Sequence, residues 1–284
     1  MKFTFLGTSA SEGFPNAFCG CDNCEKARQA GGRSLRKRSA ALIDDELLID
    51  LGPDLMAASL QHGISLAKLR YCLQTHEHAD HLDPSHLLSR SPSCRVEGAP
   101  RLHYYASANA LQRAARIIRS DEPGLALLEP AVGERLNLSV YVVAPFERFE
   151  VGPYEVTSLR ANHAHETTAM LYLIERDGRV IFYGTDTGEM PEETWKALER
   201  FGKMCHLVVL DHTFGFLKRS TTHLNAEQFL EQVTRLREIG LVGEKTRILA
   251  THIGHHSHPI HEELAAYASE HGYEVAYDGL VIEV

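Results

Sequence analysis

Residues 73–81 read Leu-Gln-Thr-His-Glu-His-Ala-Asp-His, placing His76, His78, Asp80 and His81 in one short run. The apolar Tyr71–Thr75 segment before it predicts a strand that ends in this run. His76 and His78 are two apart, so an extended backbone turns both imidazoles to the same side. Asp83-Pro84 has the form of an N-cap followed by proline at the first helical position, which predicts a helix start. So many nitrogen and oxygen donors exceed what one open catalytic metal needs once distant ligands join. The run therefore points to two metals side by side; the plain alternative is a solvated polar loop.

Working outward, other chemically able side chains follow predicted strands. His163 follows Tyr154–Leu159, Asp186 follows Ile181-Phe-Tyr-Gly-Thr, and His252 follows Ile248-Leu-Ala-Thr. Taken singly, each is as readily a cap or a satisfied polar group; as a set they complete two coordination shells at strand ends.

Strands are also predicted at Lys2–Leu6, at Ala40–Ile43 and Leu47–Asp50 as a hairpin, and at Leu102–Ala106, Tyr141–Val143, Ala169–Glu175 and Arg179–Tyr183. Further strands are expected at Leu207–Asp211, Arg247–Thr251, Glu274–Tyr277 and Leu280–Val284. Helices are predicted at Pro53–His62, from an N-cap at Ser107 to Ile118, from Pro191, at Asn225–Arg237 and near Pro259. Many strands with helices between them predict an α+β fold of stacked sheets covered by helices. The segment Ser89–Arg101 reads as a surface loop and a candidate lid. With no repeat or linker-like stretch, one domain over residues 1–284 is expected.

Composition narrows the function. The 284 residues carry a formal charge of −9 and 44% hydrophobic residues, which argues against nonspecific binding to nucleic acid or an anionic membrane. No apolar run is long enough to span a membrane, and the N-terminus lacks a signal-peptide core. Six cysteines, half of them clustered, do not form a disulfide framework, so a cytoplasmic setting is expected. Cys19, Cys21 and Cys24 suggest a metal, although a closed structural zinc site wants four ligands; reactive or merely buried thiols are the alternative. The basic run Arg33-Ser-Leu-Arg36-Lys37-Arg38 is either a solvated face or, through Arg36 and Arg38, a cradle for a substrate phosphate. Asp211-His212 ends an apolar strand without an assigned role. His256, His258 and His261 are expected to solvate their loop or cap the next helix.

His76-x-His78-x-Asp80-His81, followed in order by His163, Asp186 and His252, resembles the metallo-β-lactamase superfamily over essentially the whole chain. The resemblance implies an αββα sandwich with metals at one edge between the sheets. It implies that His76, His78 and His163 hold one metal, that Asp80, His81 and His252 hold the other, and that Asp186 bridges them. Asp50, in Leu48-Ile-Asp-Leu-Gly52, matches the family's buried carboxylate that orients a ligating histidine. Imidazole and carboxylate donors permit zinc, manganese or iron, and Zn2+ or Mn2+ is expected, the carboxylates suiting the harder Mn2+ somewhat better; two such cations can activate a shared water.

Cys19-Gly-Cys21-Asp-Asn-Cys24, with Gly7-Thr-Ser-x-Ser-x-Gly13-x-Pro15, further resembles the PhnP-like phosphodiesterases. That resemblance implies His255 as the fourth ligand of a structural Zn2+. It also implies His223, in Thr222-His223-Leu-Asn225, as a hydrogen-bond donor or general acid at the scissile phosphate; the bland alternative for His223 is a histidine beside a helix N-terminus. The implied substrate is a small diester, such as a ribosyl 1,2-cyclic phosphate. Thioester or lactone hydrolysis, a tRNA-processing-type nuclease and a noncatalytic carrier are the alternatives; a homodimer is left open. Leu82-Asp83-Pro84 stands where the superfamily has a glycine after Asp-His, so a different pocket wall is expected there.

Overall fold

The computed structural model of the chain describes residues 1–91, 94–124 and 126–284. Its strands are β1 (Lys2–Gly7), β2 (Ala40–Ile43), β3 (Leu47–Ile49), β4 (Tyr71–Leu73), β5 (Leu102–Ala106), β6 (Leu138–Val142) and β7 (Arg148–Val151). They continue as β8 (Tyr154–Arg160), β9 (Met170–Arg176), β10 (Arg179–Gly184), β11 (Leu207–Asp211), β12 (Arg247–Thr251), β13 (Glu274–Val275) and β14 (Val281–Glu283). The helices are α1 (Asp22–Ala30), α2 (Leu55–His62), α3 (Ser85–Leu88), α4 (Ala108–Asp121), α5 (Pro130–Arg135), α6 (Glu192–Phe201), α7 (Ala226–Glu238) and α8 (His261–Glu270).

Two seven-stranded sheets run β14-β1-β2-β3-β4-β5-β6 and β13-β12-β11-β10-β9-β8-β7. Alternation along the strands makes the layers. In β10, Ile181 and Tyr183 enter the core between the sheets, beside Phe3, Phe5 and Val209. Val180 and Phe182 point the other way, onto Trp195 and Phe229 beneath the helices. A second outer core packs Ala110, Leu111, Ala114 and Ile118 of α4 against Leu102 and Tyr104 of β5. Strands covered on both faces need apolar side chains in both registers, which is why β11 reads Leu-Val-Val-Leu before its aspartate. The architecture is the expected αββα sandwich.

Chain direction puts the reactive residues at one edge. β10, β11 and β12 are parallel neighbours, with Gly184 opposite Leu210 and Asp211 opposite Thr251. β3 and β4 are also parallel, with Ile49 opposite Leu73. The residues following these strands therefore emerge side by side. Asp50, Asp186 and His252 have φ of 68°, 54° and 60°. This left-handed backbone turns each chain away from its strand, in a region where Asp and His are among the more tolerant non-glycine residues.

Ser107 caps α4 by accepting from the Ala110 N–H, and Asn225 and Gln228 form a capping box on α7. α1, which the sequence did not predict, is stopped by Gly31 at φ 63°. β7 and α5 were also not expected. The expected lid, Ser89–Arg101, includes residues 92 and 93, which lie outside the described residues. Its described part borders a cavity with Leu55, Met56, Leu66 and Leu102 that no residue of the His76–His81 run lines. No helix among the described residues is long and apolar enough to cross a membrane.

Candidate metal centre

The run after β4 and the turns after β8, β10 and β12 bring two donor groups together. His76, His78 and His163 form one, and Asp80, His81, Asp186 and His252 the other; in each, the donor atoms lie within 4.8 Å of one another. Asp186 stands between them. Its Oδ2 is 3.1 Å from His81 Nε2, and its Oδ1 is 3.2 Å from His252 Nε2 and 3.9 Å from His163 Nε2. Asp80 Oδ2 lies 3.2 Å from His81 Nε2.

The other face of each ring explains its orientation. Asp50, fully buried, accepts from the Thr75 N–H at 2.7 Å and sits 2.7 Å from His81 Nδ1. The Thr75 hydroxyl donates to Asp50 and lies 3.0 Å from His76 Nδ1. Asp211 repeats this arrangement in the second sheet. Its Oδ2 is 2.8 Å from His223 Nδ1 and accepts from the Thr213 hydroxyl at 3.0 Å, while Thr213 Oγ1 is 2.7 Å from His252 Nδ1. Each aspartate thus holds one histidine directly and a second through a threonine. With Nδ1 as the donor, Nε2 of His76, His81 and His252 is left as an unprotonated ligand atom.

Those three Nε2 atoms are buried and have no hydrogen-bond partner, a costly state for a polar atom unless something else satisfies it. The charges agree. Burial pulls the His81 pKa down, but Asp186, Asp80 and Asp50 outweigh it and raise it well above its ordinary value. Burial pushes the Asp186 carboxyl up, while His252 and His81 hold it well below the usual carboxylate range. Buried carboxylates facing unpartnered imidazole nitrogens call for positive charge at their centre, so the donor set fits a pair of divalent cations.

Beside the second group, the His223 ring stacks on His252 at 5.5 Å and meets His163 edge-on at 4.9 Å. Burial lowers the His223 pKa, but Asp211 more than offsets this and raises it to about 9. The helix cap here is Asn225, so His223 is not held as a capping group. Asp211, Thr75 and Thr213 had no assigned role in the sequence. The available signal was that Leu207–Asp211 ends an apolar run on an aspartate, as Leu47–Asp50 does.

A second cluster joins Cys19, Cys21, Cys24 and His255. His255 Nδ1 lies 3.3 Å from Cys24 Sγ and 3.8 Å from Cys21 Sγ. The Cys24 backbone N–H and His255 lower the Cys21 thiol to about 6, while burial pushes Cys24 up to about 12. Three thiols and one imidazole fit a closed tetrahedral zinc site.

Other expectations are corrected. Arg36 is neither on a solvated face nor at the metal-ligand cluster. It is buried, with its N–H groups donating to Thr8 Oγ1 and the Ala276 carbonyl, and Nη2 lies 2.9 Å from His261 Nδ1. Arg38 makes a two-pronged pair with Asp54. His258 and His261 do not solvate a loop; both are buried. His212 is buried too, 2.9 Å from His258 Nε2 and 3.2 Å from the Tyr273 hydroxyl. Half-exposed His256 lies 3.5 Å from Glu12.

Residues 46–253 match the family model of a beta-lactamase superfamily domain. Among solved structures, the chain is similar to a diphosphatase from the PhnP family, with 22% identity and a TM-score of 0.73 over 100% of this chain and 97% of the other. It is similar to Zn(2+)-bound PqqB from Methylobacterium extorquens, with 20% identity and a TM-score of 0.73 over 100% of both chains. The human short-form tRNase Z shares 14% identity, with a TM-score of 0.66 over 100% of this chain and 99% of the other. At these identities the likeness is one of fold. No curated protein sequence matches.

Proposed function

The chain belongs to the beta-lactamase superfamily of metal-dependent hydrolases, and on that premise we propose that it is a phosphodiesterase acting on a small, linear or cyclic phosphodiester. The observation that carries this reading is the Asp211–His223 pair against the metal-ligand cluster. A partly buried imidazole 2.8 Å from a buried carboxylate is favoured in its protonated form. Hydrolysis of a diester passes through charge on phosphoryl oxygens and on a departing alkoxide, both of which a protonated donor stabilises.

His76, His78 and His163 would hold one cation, and Asp80, His81 and His252 the other, with Asp186 shared. Bound there, two divalent cations supply a water acidic enough to attack at neutral pH and neutralise charge on the reacting phosphate. The protein's own groups do the rest. Asp50 and Asp211 fix the ring orientations of His81 and His223, and Thr75 and Thr213 extend that control to His76 and His252. With Nδ1 held by Asp211, His223 presents its proton at Nε2, where it hydrogen-bonds a phosphoryl oxygen or protonates the leaving oxygen. The Cys19–Cys21–Cys24–His255 cluster ties the segment entering α1 to the loop after His252, bracing one wall of the site with a structural Zn2+.

The test is hydrolysis of bis(p-nitrophenyl) phosphate by protein loaded with Mn2+ or Zn2+, beside a thioester and a lactone. Turnover of the phosphodiester is expected. Turnover of the thioester or lactone without it would overturn the reading.

A further inference from the structure

A cavity of about 350 Å³ opens directly beside the candidate metal ligands and is bordered by His78, Glu77, Asn109, Arg113, Arg116 and Glu166. The volume is that of a small-ligand site. One wall is the polar face of α4: Asn109, Arg113 and Arg116 share a side at helical spacing, while Ala110, Leu111, Ala114 and Ile118 face the core. The other wall is the turn after His163. Asn109 Nδ2 reaches its Glu166 carbonyl at 3.5 Å and Thr168 Oγ1 at 3.4 Å, which ties the two walls together.

Among the described residues, no ion pair or hydrogen bond engages the side chain of Arg113 or Arg116. Arg70, Arg119, Arg179 and Arg237 are likewise without one; what distinguishes these two is that they border the cavity beside His78. Arg113 interacts electrostatically with the Glu77 carboxyl. Glu77, on the same cavity, has a buried Oε2 with no hydrogen-bond partner. Glu166 and Arg116 border the opening from exposed positions, where solvent screens both, whereas Arg113 is partly buried.

We propose that this cavity receives the nonreacting end of the substrate, and that Arg113 and Arg116 select substrates carrying a second anionic group there, a phosphate or a carboxylate. A planar guanidinium presents paired donors that match either group. Glu77 Oε2 supplies an acceptor for a hydroxyl beside that group. Arg113 and Arg116 are specificity residues of the proposed phosphodiesterase site, on which this inference rests.

The experiment has a binding arm and a turnover arm. Binding of ethyl phosphate, 3-phosphooxypropanoate and ethylene glycol bisphosphate to the metal-loaded protein is measured by calorimetry, for the wild type and for Arg113→Gln/Arg116→Gln. The wild type should bind the bisphosphate, the carboxylate or both about tenfold or more tightly than ethyl phosphate. The double variant should lose that preference, and Arg113→Lys/Arg116→Lys should keep part of it. Which of the two ligands gains identifies phosphate or carboxylate. In the turnover arm, kcat/KM for ethyl p-nitrophenyl phosphate is compared with that of its 2-phosphoethyl and 2-carboxyethyl analogues; the ratio favouring the charged ester should fall in the glutamine variant. Equal binding of all three ligands by the wild type, or a preference unchanged in the double variant, would overturn the inference. Absence of all ester turnover overturns the phosphodiesterase reading separately, because the binding arm needs no catalysis. Unchanged circular dichroism and Tm in the variants show that the fold is retained.

Discussion

Asp211 Oδ2 lies 2.8 Å from His223 Nδ1 and also accepts from the Thr213 hydroxyl, whose oxygen is 2.7 Å from His252 Nδ1. One buried carboxylate therefore controls a proposed proton donor and a proposed metal ligand at once. On the other sheet, Asp50 holds His81 directly and, through Thr75, His76, both of them proposed metal ligands.

His223→Ala should lower kcat about 10²-fold or more on a phosphodiester, the usual contribution of a positioned proton donor. Its metal content by elemental analysis should equal that of the wild type. Asp211→Asn should lower kcat comparably, because the amide leaves His223 without its charge partner. Wild-type turnover in His223→Ala would remove the residue from the mechanism.

Thr213→Val keeps the side-chain shape and removes the hydroxyl between Asp211 and His252. Outer partners of metal-ligating histidines commonly contribute 10- to 100-fold in affinity, so metal binding at the second donor group should weaken by about that factor. Thr75→Val should weaken the first group likewise. Competition with a chelator of known affinity measures both, and an unchanged affinity in both would refute the relay.

Removing His76 and His78 together should leave one tightly held zinc per chain, whereas Cys21→Ala should lose it. The cysteine variant should also melt at a lower Tm, because the metal joins segments far apart in the chain. Retention of that zinc in Cys21→Ala would show that the four residues are not its ligands.

Acid should destabilise the protein well above the carboxylate range. Burial lowers His212 to about 4, and burial followed by Arg36 lowers His261 to about 4; burial and then His212 push His258 well below its ordinary value. These folded-state values lie below the unfolded value near 6.5. Their contribution to stability is therefore complete above that value and lost as pH falls from about 6.5 toward 4. For His212 and His261, values near 4 correspond to a cost on the order of 3 kcal/mol each at pH 4. Urea midpoints across that interval should fall steeply in the wild type and less so in His261→Gln. Identical acid limbs would count against the assignment.

Much of this was legible in the chain because it is local. β10, β11 and β12 announce themselves as apolar runs, and each ends on or just before a residue of the site. The run His76–His81 carries its own geometry: β4 ends at Leu73, earlier than the predicted Thr75, yet His76 and His78, two apart in the segment after it, bring their ring centroids within 4.6 Å of one another. α1 was missed because its few apolar positions sit among charged residues, and a cysteine rather than a usual cap precedes it.

What the sequence by itself determined is the donor inventory and its order: six metal-ligating candidates besides the shared Asp186, three clustered thiols, and strands able to present them. Apart from Asp50, only the tertiary structure decided which partners stand behind them. Parallel pairing of β11 with β12 sets Asp211 beside Thr251 and brings Thr213 to His252, a relation that no spacing encodes. The same packing buried Arg36 against His261 and turned His258 inward, where composition alone suggested solvent. Ligand type is a property of a residue. Its orientation, charge and proton depend on neighbours that the chain reaches only by folding back across both sheets.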